Sequence, residues 1–203
     1  MKIGVIVAMD KEAQAIVSAL GRSKYGLDAH LRISGVGKVN AAIAATEAIK
    51  AGCTHIINLG LAGGLDPSMK VGEAYAIDRA VQYDFDLSKV DDKQIGVIDE
   101  REAPYFHLNW LERHTRRATI GTADRFGDGD DEVLKGLECT LRDMECAAIA
   151  QVCEKWGITF YSYKIVSDVA GSGVTWEQYK KDLETSLEGL GRIAQYVLSS
   201  DIK

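Results

Sequence analysis

Residues 55–60, HIINLG, are nearly continuous in apolar side chains and pass straight into the glycine-rich LAGG of residues 61–64. A short apolar run of this kind reads as a strand buried on both faces, because a strand wetted on one face would alternate apolar with polar residues. The same rhythm appears at KIGVIVA (2–8), which leads into a helical pattern over roughly 11–20, and at HLRISG (30–35), which leads into one over roughly 38–51. Further along, EAYAIDRAVQYDFDL (73–87) reads as extended structure and RRATIGTA (116–123) as another strand. TFYSYKIVSD (159–168) reads as a late core strand, and 176–199 as a long amphipathic helix. Doubly covered strands alternating with helices predict one α/β domain over residues 1–203, a three-layer α/β/α sandwich around a mixed, mostly parallel central sheet. The stretch 99–118 shows no clear period and is expected to be a loop excursion.

Composition narrows the partners. The chain has 203 residues, is 46% hydrophobic and contains only two prolines, which suits one well-buried domain without a linker. A net charge of −6, with Lys and Arg scattered, gives no electrostatic footprint for nucleic acid or an anionic membrane, and neither is expected as a partner. Cys53, Cys139, Cys146 and Cys153 lack metal-ligand spacing, and so do His30, His55, His107 and His114. MKIGVIVAM lacks the basic start and cleavage site of a signal peptide, and no apolar run approaches a membrane-spanning length. These features predict a cytoplasmic protein with reduced thiols and no structural metal.

Ligands of doubly wound sheets gather where strands end. Four such places here carry acids or glycines: Asp10 and Glu12 in VAMDKE, Gly35 and Gly37 in SGVGKVN, Gly60, Gly63 and Gly64 in NLGLAGG, and Asp168 in IVSDV. Each has a plainer reading. Asp10 and Glu12 can cap the first helix. The glycines can serve turns, since G-x-G-x-x-N lacks the third glycine of a dinucleotide fingerprint and LAGGLDPSMK lacks the lysine of a phosphate loop. Asp168 can cap the segment after it, a role Ser167 could share.

Glu145 is harder to dismiss. In LRDMECAAIAQVCEKW (141–156), read as one helix, Ile149, Val152 and Trp156 fall within ~40° of Glu145, so the acid shares the apolar stripe. A buried carboxylate without partner or ligand costs several kcal/mol, which leaves a structural ion pair or a ligand as its explanation.

In order along the chain, MKIGVIVAMDKEAQAI, SGVGKVNAA, NLGLAGGLDPSMKVGEAYAID, DMECAAIAQVC and SDVA resemble the bacterial 5′-methylthioadenosine/S-adenosylhomocysteine nucleosidases of the nucleoside phosphorylase superfamily. The resemblance covers most of the chain outside about 99–118. It implies a nucleoside phosphorylase-like fold and hydrolysis of an adenine nucleoside, without metal or cofactor, in a homodimer whose contacts would lie around Leu87 to Ile98. By resemblance, Glu12 positions and deprotonates the attacking water, and Asp168, oriented by Ser167, protonates N7 of the departing adenine. Glu145 would bind the ribose hydroxyls and Met144 pack beside the sugar. Phe126 would stack on the base, with Trp176 and Tyr179 walling the 5′ substituent, and Gly63 belongs to the same binding loop.

Three positions depart from the family pattern: Leu61 replaces a small hydroxyl residue, Lys164 an arginine near the water, and Gly127 a larger apolar residue. Lys164 keeps the charge without the planar fork. A phosphorolytic relative is the second reading, although the carboxylates of MDKE would repel phosphate. A nucleoside-binding protein, or a nucleosidase for another base, is the third.

Overall fold

The computed structural model describes residues 1–21, 30–98, 101–111, 116–126, 132–170 and 176–200; at 91, 176 and 179 it describes the backbone alone. In chain order the elements are β1 (Ile3–Val7), α1 (Asp10–Leu20), β2 (His30–Ile33), α2 (Lys38–Lys50), β3 (His55–Gly64), β4 (Ala74–Gln82) and α3 (Ser88–Asp91). They continue with β5 (Phe106–His107), β6 (Arg116–Thr122), α4 (Glu132–Gly136), β7 (Leu141–Asp143), α5 (Cys146–Trp156), β8 (Thr159–Val169) and α6 (Trp176–Ser199). The first two helices and the last match the sequence pattern to within a residue.

β3 organises the sheet. Its apolar run pairs in parallel with β1 on one side and β8 on the other, and its glycine end also meets β7 antiparallel. β8 pairs with β4, β4 with β6 and β6 with β7, so β3, β8, β4, β6 and β7 close a ring, with β1 and β2 extending from one side and β5 from another. Parallel pairs predominate, as expected, and the closure leaves the middle of β3 without a free edge.

Helices α1 and α6 cover one face over Val5, Val7, Ile57, Leu59, Tyr163 and Ile165, while α2 and α5 cover the other over Ile6, Ile56 and Val166. Alanines make the second layer thin: Ala41, Ala44, Ala45 and Ala48 of α2 and Ala147, Ala148 and Ala150 of α5 are all buried. Small side chains let these two helices approach each other and the sheet closely, which matters because both begin at the site.

Two expectations need correction. Residues 141–156 are not one helix: 141–143 form β7, α5 starts at Cys146, and Glu145 stands at its N-cap. Ile149 of the proposed stripe is buried, but Trp156 is 54% exposed. The cause is pairing, since Leu141 to Asp143 complete the ring between β3 and β6 and cannot be helical while doing so. Within 99–118, β5 pairs with β4, and Phe106 and Leu108 are buried, so this stretch contributes to the core instead of looping away from it.

The ring leaves little space at Gly121 of β6, where a Cβ would lie 2.2 Å from Leu134 Cδ2, 3.0 Å from Tyr83 Cδ1 and 3.3 Å from Cys139 Sγ. Gly121→Ala is expected to destabilise the protein by about 1–3 kcal/mol through overpacking. Urea unfolding of the two proteins measures this, and an unchanged midpoint would mean that the Leu134 side chain yields without strain.

Candidate active site

β1 ends at Val7 and the chain turns directly into α1, which carries Glu12 back over the strand end. Glu12 is 1% exposed, and its Oε2 accepts the backbone N–H groups of Ala8 and Met9, both at 2.9 Å. Its Oε1 accepts the N–H of Leu61 at 2.9 Å. The capping reading is therefore true of Glu12, but the bond to Leu61 also ties it to the middle strand. Burial raises its carboxyl above the usual range; the charge of Lys164 and the three N–H groups pull it back without cancelling the shift. Asp10 is exposed in the first turn, where an acid favours the helix dipole.

Glu145 lies across the cleft from this group. Its Oε1 accepts the N–H of Gly37 at 3.0 Å, in a turn whose Gly35 (φ 82°) and Gly37 (φ 104°) both need positive φ. Beneath it lies a pair in which sequence reasoning recognised only one member. Lys164 Nζ is 2.8 Å from Asp143 Oδ2, and both side chains are buried. Asp143 also accepts the N–H of Cys146 at 2.9 Å and the hydroxyl of Thr122 at 2.6 Å, while Thr122 Oγ1 accepts the N–H of Ala147 at 3.0 Å. Burial opposes the charge of Lys164, but Asp143 and Glu145 outweigh it and raise its affinity for the proton. The signal for Asp143 was present in the sequence, because an acid three residues before Cys146 is a helix-start signature. Reading 141 as helical hid it.

Asp168 completes the site. Between β3 and β8 the register slips, so that Ala62 faces Val166 and Gly63 faces Asp168, leaving Ser167 as an extra residue. Such a bulge re-aims a side chain. Ser167 Oγ donates to Asp168 Oδ1 at 2.6 Å. The glycines make room: a Cβ at Gly60 would lie 3.0 Å from Glu12 Oε1 and 3.4 Å from Lys164 Nζ, and one at Gly63 would lie 3.3 Å from Asp168 Oδ2.

Glu12, Glu145, Lys164, Ser167, Asp168 and Gly63 are thus brought together around the end of β3, and half-buried Met144 adjoins Glu145. Phe126 is not packed into this cluster and is 86% exposed. It follows the segment that Asp124 ties to α2, where Asp124 Oδ1 accepts the N–H of Lys38 at 2.7 Å. The side chains of Trp176 and Tyr179, and Gly127 and His114 entirely, lie outside the described residues.

A model of the Phosphorylase superfamily matches residues 2–199 of this chain. A 5′-methylthioadenosine/S-adenosylhomocysteine nucleosidase of Halalkalibacterium halodurans is 33% identical over 215 residues, covering 91% of this chain and 92% of the relative. The chain belongs to the 5′-methylthioadenosine/S-adenosylhomocysteine nucleosidase family. A second nucleosidase of that description, from Geobacillus thermodenitrificans, is 31% identical over 98% of this chain and 95% of its own. Among solved structures, the Helicobacter pylori nucleosidase with butyl-thio-DADMe-Immucillin-A superposes with a TM-score of 0.84 at 21% identity, covering 100% of this chain and 99% of that one. The futalosine hydrolase of Helicobacter pylori superposes at 0.83 and 22% identity, covering 100% and 98%. These two likenesses establish the nucleosidase fold.

In this nucleosidase-family chain the carboxyl of Glu145 is pushed from an ordinary 4.5 up to about 7, first by burial and then by the charge of Asp143, with Lys164 and the Gly37 N–H opposing. An acid titrating higher in the folded than in the unfolded state binds more protons when folded, so its contribution to stability falls as pH rises between those values. Glu145→Gln is expected to remove that loss, worth up to about 3 kcal/mol. Thermal melts should show the variant gaining more over wild type at pH 8 than at pH 5; equal differences at both would contradict the assignment.

Proposed function

We propose that this chain hydrolyses the N-glycosidic bond of an adenine nucleoside, releasing adenine, with 5′-methylthioadenosine and S-adenosylhomocysteine as its substrates. The observation that carries the reading is the set of carboxyl groups converging on the end of β3, with Glu12 and Glu145 beside Lys164 and Asp168 across Gly63. Cleavage builds oxocarbenium character on the ribose, and buried carboxylates favour that cation more in the transition state than in the ground state. Glu145 holds the ribose hydroxyls, with Met144 beside the sugar. As the C1′–N9 bond breaks, the water oxygen bonds to C1′ and its proton passes to Glu12. Asp168, held by Ser167, gives a proton to N7 so that the base leaves neutral, a contribution of ~10² to 10⁴ in rate. Lys164 keeps the acidic cluster from accumulating charge. Phe126 closes over the base.

Water is favoured over phosphate as nucleophile because Glu12 and Glu145 would repel an anion across a poorly screened cleft. With Asp168→Asn the rate of adenine release should fall at least ~10²-fold while the protein stays folded. Glu12→Gln should abolish release. Chromatography of products in phosphate-free and phosphate buffers should give adenine and free sugar in both, and ribose 1-phosphate derivatives as the main product would overturn the hydrolase reading.

The same reading includes a cytoplasmic homodimer, supported by the four free cysteines and by exposed apolar residues around α3 and at the start of α2. Leu87 is 37% and Val90 83% exposed, and Val36, Val39 and Ile43 stand out from the start of α2. Val97 and Ile98 are buried within the chain's own core and contribute nothing to that surface. Sedimentation velocity at micromolar concentration should give a dimer, and Val39→Glu should dissociate it.

A further inference from the structure

β4 and β6 run in parallel as far as Gln82 and Thr122 and leave the core side by side at Tyr83 and Ala123, both buried. Beyond these residues the ladder ends and a closed ring of polar contacts takes its place. Lys38 Nζ donates to Asp84 Oδ1 at 2.7 Å, the N–H of Asp124 donates to Asp84 Oδ2 at 3.1 Å, and the N–H of Lys38 donates to Asp124 Oδ1 at 2.7 Å. Arg125 ties the same turn to the end of β4, since its Nε donates to the Tyr83 hydroxyl at 3.4 Å and its guanidinium carbon lies 5.2 Å from the centre of that ring. The ends of β4 and β6 are thereby joined to the start of α2.

Stability alone gives these contacts little purpose. The side chains of Lys38 and Asp84 are 19% and 27% exposed, and water screens a pair so placed. Their position is more telling. Gly37 and Lys38 are consecutive, so one N–H of this turn donates to Glu145 and the next to Asp124. A Cβ at Gly37 would lie 3.1 Å from Asp124 Oδ1, which measures how closely the two loops approach. Two residues after Asp124 stands Phe126, whose ring is so exposed that the backbone of the turn, more than core packing, must aim it. We propose that Asp84 is a positioning residue for the base: through Lys38 and Asp124 it fixes the turn that presents Phe126 in step with the α2 start that holds Glu145. A turn fixed before the nucleoside arrives spares the cost of ordering it on binding. The inference rests on the reading above that Phe126 closes over the base.

The test is a double-mutant cycle read on two constants, the KM for 5′-methylthioadenosine and the Kd for free adenine by titration calorimetry. The proteins are wild type, Asp84→Ala, Phe126→Ala and the chain with both changes. Loss of a stacked base should raise both constants at least ~5-fold in Phe126→Ala. Asp84→Ala should raise them ~3- to 10-fold with kcat within ~2-fold of wild type, and should add less than ~2-fold once Phe126 is alanine, because it acts through that ring. Asp84→Asn keeps an acceptor for the Asp124 N–H and should fall between Asp84→Ala and wild type. Lys38→Met breaks the ring from its other side and should raise both constants as Asp84→Ala does. Losses that multiply independently of Phe126, or unchanged constants in Asp84→Ala where Phe126→Ala is impaired, would overturn the proposal. Unchanged constants in Phe126→Ala would overturn the stacking reading and the proposal with it. If wild type released no base, the nucleosidase reading would fall, while the adenine cycle would still decide the role of Asp84.

Discussion

The Lys164–Asp143 ion pair is the contact on which the rest of the site depends. Two charges without water need excellent geometry to be tolerated, and removing one partner of such a pair costs about 3–5 kcal/mol because the other is stranded. Here the geometry is supplied from three elements: β8 brings the ammonium, β7 the carboxylate, and β6 the Thr122 hydroxyl that occupies the second carboxylate oxygen. The same carboxylate accepts the first free N–H of α5, which fixes where the helix starts and therefore where Glu145 stands. Chemistry and stability are not separable in this part of the fold.

Glycine supplies the complementary constraint. β3 carries no side chain at positions 60 and 63, the two places where the neighbouring functional groups need volume, yet its backbone still offers the Leu61 N–H to Glu12. The identity of the side chain at 61 is therefore decoupled from the placement of Glu12, which explains how Leu61 can occupy a place where relatives of the proposed type carry a hydroxyl.

Much of this was legible in the sequence, and what was missed has a physical cause. β1, α1, α2 and α6 follow local periodicity; Glu12 and Asp168 stood out as acids at strand ends, and Glu145 as an acid among apolar neighbours. β7 was hidden because a three-residue strand has no period of its own and exists only through its partners in the ring. Asp143 disappeared with it. The exposure of Phe126 is likewise a tertiary fact, set by how the 123–126 turn meets the start of α2.

Closure of the strand ring also orders the chain in time. β8 is the last strand made, and it inserts between β3 and β4, which lie about a hundred residues earlier. Until it arrives, Asp143 has no ammonium beside it and the β3–β4 gap stays open, so its neighbouring carboxyls remain in contact with solvent and behave as ordinary acids. Contacts of such long sequence separation are slow to form because the loop entropy is lost before they return anything. A chain still emerging from the ribosome and lacking β8 therefore carries Glu12, Asp143 and Glu145 without the Lys164 and Asp168 that complete the cleft.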